Sequence, residues 1–241
     1  MRLLLQKVSC LLIACPTLVM GQTKQGNYET LPLKDLSSFE KHTPNWTIAG
    51  AVSMHPFTAS KPKFQPGAGI LVGTQGAALT SKLNVSDLRM QIEFMVSPGA
   101  SGFLILPGGQ KILISDSYRH AQLDASTSGY LNQFPKQNAA KAPGLWQKLE
   151  FAYDAAVPNL PHSARLNTLN LNDVNILESI YFETQKSFEG PQPLGLEVTK
   201  GTIAFRNIGY HLLQDRKPLA INHLKYKVYS DSWDSKTYNT L

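Results

Sequence analysis

Residues 88–94 alternate between apolar and polar side chains. The apolar members occupy every second position: Leu88, Met90, Ile92 and Phe94. The polar members lie between them: Arg89, Gln91 and Glu93. A period of two is typical of a β-strand with one buried face. Short Pro/Gly turns follow at 97–100 and 107–109, and such turns join antiparallel neighbours without room for crossover helices. The pattern predicts an antiparallel sheet over 88–117 with one polar-lined face, where we expect function.

Similar runs recur along the rest of the chain. Strands are predicted at 46–52, 70–72, 78–81 and 146–153, with a turn at 65–69 before the second of them. Two hairpins are predicted: residues 164–171 with 174–177 around Asn172-Asp173, and residues 194–198 with 202–208 as a closing pair. No amphipathic helix of useful length is found. About a dozen short strands separated by Gly/Pro turns predict an all-β fold, a β-sandwich or jelly roll.

The two ends and one internal loop differ in composition from these strands. Residues 1–21 combine a basic start, an apolar run and small residues before Gln22, which is typical of a cleaved signal peptide. We therefore expect a domain over 22–213 in a secreted or periplasmic bacterial protein. Residues 214–241 form a polar, aromatic extension in which 222–230 are a possible edge strand. The polar stretch 118–143 is a loop long enough to be functional or mobile.

Charge and cysteine content exclude several classes of function. Both cysteines, Cys10 and Cys15, lie in the leader, so the mature chain has no disulfide, thiol nucleophile or cysteine-bound metal. A lipid on Cys15 is the alternative to cleavage, and the apolar residues after it disfavour that alternative. The apolar run is too short to predict a membrane span. Removing the leader lowers the net charge from +6 to +4, and the basic residues form no run that indicates nucleic-acid binding.

Candidate chemistry centres on charged residues of the predicted sheet. Glu93 and Asp116 are carboxylates that, on one face, would supply a general acid and base, and Lys111 is a cation on the same stretch. The alternative is that Glu93 only pairs with a basic neighbour such as Arg89 or Lys148 on a solvated face. The candidate substrate-binding residues are Arg89, Gln91, Trp146 and Arg206. The six histidines show no metal-ligand spacing, so no metal site is predicted.

Several of these stretches resemble one family. Residues 88–94, 101–103 and 114–117 are similar, in this order, to the text "ELxxEF…NSGIYLQ…YEVQIxDS" of the 3-keto-disaccharide hydrolase domain. Later stretches resemble its "NAxKPPGEW", "LNGV", "GPIxLQ" and "FRNI": residues 138–146, 171–174, 190–196 and 205–208. The resemblance covers about residues 31–213. It implies a concanavalin/LamG-like jelly-roll β-sandwich and a carbohydrate partner.

The chain also departs from this family text. Lys111 and Leu113 replace a glutamate and a glutamine, Lys200 replaces a frequent histidine, and the Gly102–Ile105 segment lacks a tyrosine. The family's implied chemistry removes a proton acidified by a 3-keto group and stabilises the enolate with a cation or metal. Two hypotheses follow: cleavage of a glycosidic bond in an oxidised sugar with Glu93, Asp116 and Lys111 at its centre, or a carbohydrate-binding module whose active site is eroded. A scaffold role is a third. No cofactor is required by the sequence, and a divalent metal is compatible with it.

Overall fold

Thirteen β-strands make up the fold in the computed structural model, which describes residues 28–58, 61–156, 164–182 and 191–213. The strands are β1 (Glu29–Thr30), β2 (Phe39–His42), β3 (Trp46–Ser53), β4 (Lys63–Thr74), β5 (Ala77–Val85), β6 (Leu88–Val96), β7 (Ser101–Ile105), β8 (Lys111–Ser115), β9 (Gln147–Asp154), β10 (Ala164–Leu171), β11 (Val174–Phe182), β12 (Gln192–Lys200) and β13 (Thr202–Leu212). No helix occurs within the described ranges, and hence none that could cross a membrane.

The strands form two antiparallel sheets. The eight-stranded sheet has the order β11-β10-β9-β6-β13-β4-β3, with β1 pairing β13, and the five-stranded sheet has the order β2-β5-β12-β7-β8. Their inner faces pack on each other through alternate side chains, such as Ile92 and Phe94 of β6 and Ile112 and Ile114 of β8, all at 0% exposure. The predicted all-β jelly-roll sandwich is confirmed.

Two turns that the sequence predicted to join paired strands instead carry the chain between sheets. The 97–100 turn leads from β6 in the eight-stranded sheet to β7 in the five-stranded sheet, and the turn around Gly201 leads back from β12 to β13. The two corners are hydrogen-bonded to each other, because Ser97 N donates to Thr202 O at 2.9 Å and Thr202 N donates to Ser97 Oγ at 3.1 Å. Residues 88–117 therefore do not form the single sheet that was predicted, since β6 does not pair with β7. The predicted closing hairpin is also wrong, since β12 does not pair with β13.

The predicted turn at 65–69 is also wrong, since these residues belong to the twelve-residue strand β4. Gly67 does not form a turn; its lack of a side chain allows β4 to approach β3 closely. A Cβ on Gly67 would lie 2.7 Å from the Cα of Gly50, beside a register shift at Ala49/Ala51. The glycines therefore serve the packing of an irregular strand pair.

The hairpin between β10 and β11 is confirmed. Asn172 and Asp173 both have positive φ, at 52° and 66°, as the favoured two-residue hairpin turn requires. The Asn172 side chain also accepts a hydrogen bond from Lys148 N at 3.0 Å and donates one to Ala139 O at 2.8 Å. These bonds tie the turn to the neighbouring strand β9 and to the long loop.

The long loop over 118–143 closes one side of the sandwich. Tyr130 O accepts a hydrogen bond from Leu113 N of edge strand β8, and Ile176 O of edge strand β11 accepts one from Lys136 N. Leu131, at 1% exposure, inserts into the core between these two contacts. The loop thus covers part of one edge of each sheet, which would otherwise present unpaired backbone groups. The predicted leader over 1–21, with Cys15, and the extension over 214–241 lie outside the described residues.

Candidate functional site on the polar face of the eight-stranded sheet

The outer face of the eight-stranded sheet carries rows of polar side chains. Register places Gln91 opposite Glu150 of β9, and Glu93 opposite Lys148. Glu150 is in turn opposite Asn170 of β10. Directly opposed residues of antiparallel strands project to the same side, so these side chains share one surface. We refer to this surface as the polar face.

A β-bulge in β13 adds two neighbouring side chains to the polar face. The register shifts between Arg206 and Gly209, and Asn207 has a positive φ of 48°. The extra residue lets both Arg206 and Asn207 reach Glu93, while Ile208 returns to the core. Arg206 Nε donates to Glu93 Oε2 at 2.7 Å, and Asn207 Nδ2 donates to Glu93 Oε1 at 2.9 Å. Both oxygens of the Glu93 carboxylate are therefore bound.

Trp146 completes this cluster from the loop before β9. The Arg206 guanidinium carbon lies 4.0 Å from the centre of the Trp146 ring, in cation–π contact. Trp146 also packs on a small second apolar cluster: Ala49, Met54, Ile70, Val72, Met95 and Ala204. The indole therefore covers the apolar end of the polar face and holds Arg206 toward Glu93.

The surroundings of Glu93 favour its charged form. Partial burial opposes ionisation, but the hydrogen bonds from Asn207 and Arg206 and the charges of Arg206 and Lys148 outweigh it, so the pKa of Glu93 is lowered from 4.5. At neutral pH Glu93 is a carboxylate with reduced proton affinity. Such a group accepts hydrogen bonds well and is a weak general base.

An open cleft of about 610 Å³ lies beside this cluster, at the Arg89 end of the polar face. Its floor is Ala152, which lies opposite Arg89 on one side and Thr168 on the other. The small side chain of Ala152 leaves a depression between longer neighbours. The other lining residues are mainly polar: Tyr28, Glu150, Phe151, Asp154, Arg165, Asn167, Asn170 and Leu213.

Most charges of the cleft are paired with one another. Glu150 Oε1 lies 2.9 Å from Lys148 Nζ, and Asp154 Oδ2 lies 3.3 Å from Arg165 Nη2. The hydrogen bond that Lys148 donates to Glu150, together with the charges of Glu150 and Asp173, raises the pKa of Lys148 despite partial burial. Lys148 therefore stays charged and compensates Glu150.

The structure brings together some of the predicted site residues and separates the others. Glu93, Arg206 and Trp146 form one cluster, and Arg89 and Gln91 lie on the same polar face. Lys111 does not join them, because β8 belongs to the other sheet and Lys111 faces outward there. The expected convergence of Glu93, Lys111 and Asp116 in one centre is therefore not found.

Lys111 and Asp116 have local partners of their own. Lys111 Nζ lies 2.7 Å from Glu197 Oε2 and 5.1 Å from the centre of the Phe103 ring. Asp116 Oδ2 accepts a hydrogen bond from Gly99 N at 2.9 Å and thereby supports the corner between the sheets. The predicted pairing of Glu93 with Arg89 or Lys148 is also replaced by the bonds from Arg206 and Asn207.

Of the residues that line the cleft, the sequence predicted Arg89 as a binding residue and missed the others. Glu150, Asn167, Thr168 and Asn170 lie on β9 and β10, where alternation predicts the buried apolar side but gives the polar side no specific role. The Asn172-Asp173 turn offered a signal for β10 alone, since it sets the register between β10 and β11. Within the described ranges, no three His, Cys, Asp or Glu side chains lie together in a way that would hold a metal ion.

Comparison with known proteins identifies a family. The family model described as "3-keto-alpha-glucoside-1,2-lyase-like domain" matches residues 34–209, which confirms the resemblance drawn from the sequence. No curated protein matches significantly.

Three solved structures illustrate the likeness in fold. A "putative glycosyl hydrolase" from Parabacteroides distasonis shares 20% identity and a TM-score of 0.56, over 78% of this chain and 84% of its own. A second protein of that name and organism shares 14% identity and a TM-score of 0.53, over 78% of this chain and 100% of its own. The carbohydrate-binding module CBM66 from Bacillus subtilis is more distant, at 15% identity and a TM-score of 0.39, over 69% of this chain and 95% of its own.

Proposed function

We propose that this chain, which belongs to the 3-keto-alpha-glucoside-1,2-lyase-like family, is a carbohydrate-active protein that binds a glycoside on its polar face. The observation that carries the proposal is the cleft of about 610 Å³ over Ala152, beside the cluster around Glu93. Sugar hydroxyls both donate and accept hydrogen bonds. Asn167, Thr168 and Asn170 offer amide and hydroxyl groups of both kinds along one wall.

Rigid strands hold these groups in place. Asn170 Oδ1 accepts a hydrogen bond from Asn175 Nδ2 at 3.0 Å. This contact fixes the orientation of the Asn170 side-chain amide, and therefore of its own N–H groups. A second β-bulge, between Leu166 and Thr168, allows the consecutive residues Asn167 and Thr168 both to line the cleft. Binding groups that are fixed before the ligand arrives cost less conformational entropy on binding.

The test is to fill the cleft without removing any polar group. Ala152→Trp places an indole over the cleft floor, and Ala78→Trp is the matched control at an exposed position of β5 in the other sheet. Purified variants are screened on a glycan array, and hits are measured by calorimetry. We expect Ala152→Trp to weaken binding by about tenfold or more and Ala78→Trp to leave it unchanged. Equal binding by both variants, or no carbohydrate binding by the native chain, would overturn the proposal.

Cleavage of a glycosidic bond in an oxidised sugar is the second candidate function, favoured by membership of a lyase-like family. In that reaction a base removes the C2 proton beside a 3-keto group, and the electron pair forms an enolate. Return of that pair forms a C1–C2 double bond and breaks the bond from C1 to the glycosidic oxygen, which takes up a proton and leaves with the aglycone. Glu93 is the predicted catalytic carboxylate that lies on the polar face, with Arg206 as the adjacent cation.

Aglycone release from a 3-keto-glycoside measures this second function. The assay runs from about pH 5 to 9, which brackets the usual side-chain bases, with and without a divalent metal ion. Release that is lost in Glu93→Gln supports turnover on the polar face. Absence of release under every condition, from a chain that binds the same glycoside, leaves binding alone as the function.

Export from the cytoplasm is part of the proposal and rests on residues 1–21. The mass of the mature protein from a bacterial host distinguishes the two routes. Cleavage before Gln22 gives an unmodified soluble chain, whereas a lipid on Cys15 adds the mass of its acyl groups. An uncleaved chain in the cytoplasm would contradict both routes.

A further inference from the structure

Within the part of the chain that the structure describes, one cation of the cleft lining, Arg89, has no partner. The lining includes four charged residues: Arg89, Glu150, Asp154 and Arg165. Glu150 is compensated by Lys148 and Asp154 by Arg165, and the Arg165 Nη1 group is further held by the Tyr181 hydroxyl at 3.2 Å. Among the described residues, Arg89 makes no hydrogen bond, ion pair or ring contact. Within the described part of the chain, the other three charged side chains of the lining are therefore each engaged with a charged neighbour, and the Arg89 guanidinium is open to a ligand.

The residues directly opposite Arg89 do not supply a counter-charge, and the two carboxylates of the lining on β9, Glu150 and Asp154, are each bound to another cation. Across the two strand pairings, Arg89 lies opposite Ala152 and His211. Alanine is uncharged and histidine is neutral or positive, so neither offsets a guanidinium. Ala152 is also the floor of the cleft, so nothing from that side fills the space beside the Arg89 side chain.

We infer that the cleft takes a sugar that carries a single negative charge, a uronate carboxylate or a sulfate ester, which binds the Arg89 guanidinium. This inference rests on the proposed carbohydrate binding and names its substrate class. A guanidinium presents parallel N–H donors that match two oxygens of a carboxylate or sulfate group. The amide and hydroxyl groups of Asn167, Thr168 and Asn170 then face the neutral part of the ring.

The same charges argue against a more highly charged ligand. Glu150 and Asp154 are carboxylates in the lining, and their cations, Lys148 and Arg165, are already paired with them. Each carboxylate would therefore repel a second negative charge on the ligand. The Arg89 guanidinium, which has no partner among the described residues, therefore fits one anionic group per bound segment. A neutral sugar would leave the Arg89 charge without a partner as water is displaced from the cleft.

Calorimetry with three oligosaccharides of equal length tests the inference: a neutral one, its uronate counterpart and its sulfated counterpart. Arg89→Gln removes the free cation, and Arg119→Gln is the matched control, on a loop where Arg119 contacts Phe57 outside the cleft. We expect the native chain to prefer a charged probe over the neutral one by about tenfold or more. Arg89→Gln should abolish that preference, because it weakens binding of the charged probe far more than binding of the neutral one. Arg119→Gln should preserve the preference.

Comparison of the two charged probes shows which anionic group the cleft prefers. The probe that binds with the higher affinity carries the group that fits the site better. Preference for a charged probe should also fall as salt rises, since exposed charges are screened. Equal binding of charged and neutral probes, or equal weakening of both by Arg89→Gln, would overturn the inference while leaving carbohydrate binding intact. No binding of any probe would instead reject the proposed function on which it rests.

Discussion

Glu93→Gln is the substitution that most directly probes the cluster on the polar face. The change keeps the shape of the side chain but removes its charge and replaces one acceptor oxygen by a donor amide. Glu93 accepts from Arg206 Nε at 2.7 Å and from Asn207 Nδ2 at 2.9 Å, so in the variant one of these donors must face another donor. A hydrogen bond to a charged group contributes about 1.5–3 kcal/mol when it is well shielded.

The expected loss lies at the lower end of that range because the pair is partly solvated. The side chains of Arg206 and Glu93 are 35% and 29% exposed. We therefore expect Glu93→Gln to lower the free energy of unfolding by about 1.5 kcal/mol. For a domain of this size that corresponds to a fall of about 3–6 °C in melting temperature. Glu40→Gln, at an exposed position of β2, is the control and should stay within about 0.5 kcal/mol of the native chain.

The dependence on pH gives the same experiment a second readout. The pKa of Glu93 in the folded chain lies below its ordinary value of 4.5, so the unfolded chain binds the proton more tightly. The stabilisation is present above about pH 4.5 and is lost as pH falls through the folded pKa. In urea unfolding, the difference in the free energy of unfolding between the native chain and the variant should therefore become smaller below about pH 4.5. An unchanged melting temperature at neutral pH, or a gap that widens in acid, would refute the role assigned to the cluster.

Two further substitutions test the sandwich that supports the polar face. Gly102→Ala should destabilise the fold by about 3 kcal/mol, because the added Cβ would lie 2.2 Å from the carbonyl oxygen of Glu197 in the paired strand. Urea unfolding measures this loss. Native-like stability of the variant would show that the two strands can separate at no cost. Tyr153→Phe should cost about 1–2 kcal/mol, measured by thermal melting, because the buried Tyr153 hydroxyl donates to Pro107 O at 2.7 Å. Tyr118→Phe, at an exposed tyrosine, is its control, and equal effects of the two would contradict the hydrogen-bond argument.

Strand positions were predictable from the sequence because alternation depends on local burial. The β6 pattern gave the correct outward set, including Glu93, and the Asn172-Asp173 turn gave a correct hairpin. Sheet membership was not predictable in the same way. A short Pro/Gly turn such as 97–100 suits both a hairpin and a corner between sheets, and only the packing of two apolar faces decides between them. Lys111 was placed beside Glu93 for that reason.

The details of the site depend on irregularities that alternation does not reveal. In a strand with strict alternation, only one of the consecutive residues Arg206 and Asn207 would point outward. The bulge directs both of them toward Glu93. Ala152 carries no chemical signal in the sequence. Its role as the cleft floor follows only from the register that sets it between Arg89 and Thr168.

The pairing of carboxylates with cations on the polar face bears on the choice between recognition and proton abstraction. Glu93 is paired with Arg206, Glu150 with Lys148, and Asp154 with Arg165. A general base at neutral pH benefits from a carboxylate whose proton affinity is raised by burial or by a like charge, and a neighbouring cation lowers that affinity. The arrangement therefore favours hydrogen-bonded recognition of a ligand in this state. Turnover on the same face requires the substrate to draw a cation away from its carboxylate, and a substrate with its own negative charge is the kind of ligand able to do so.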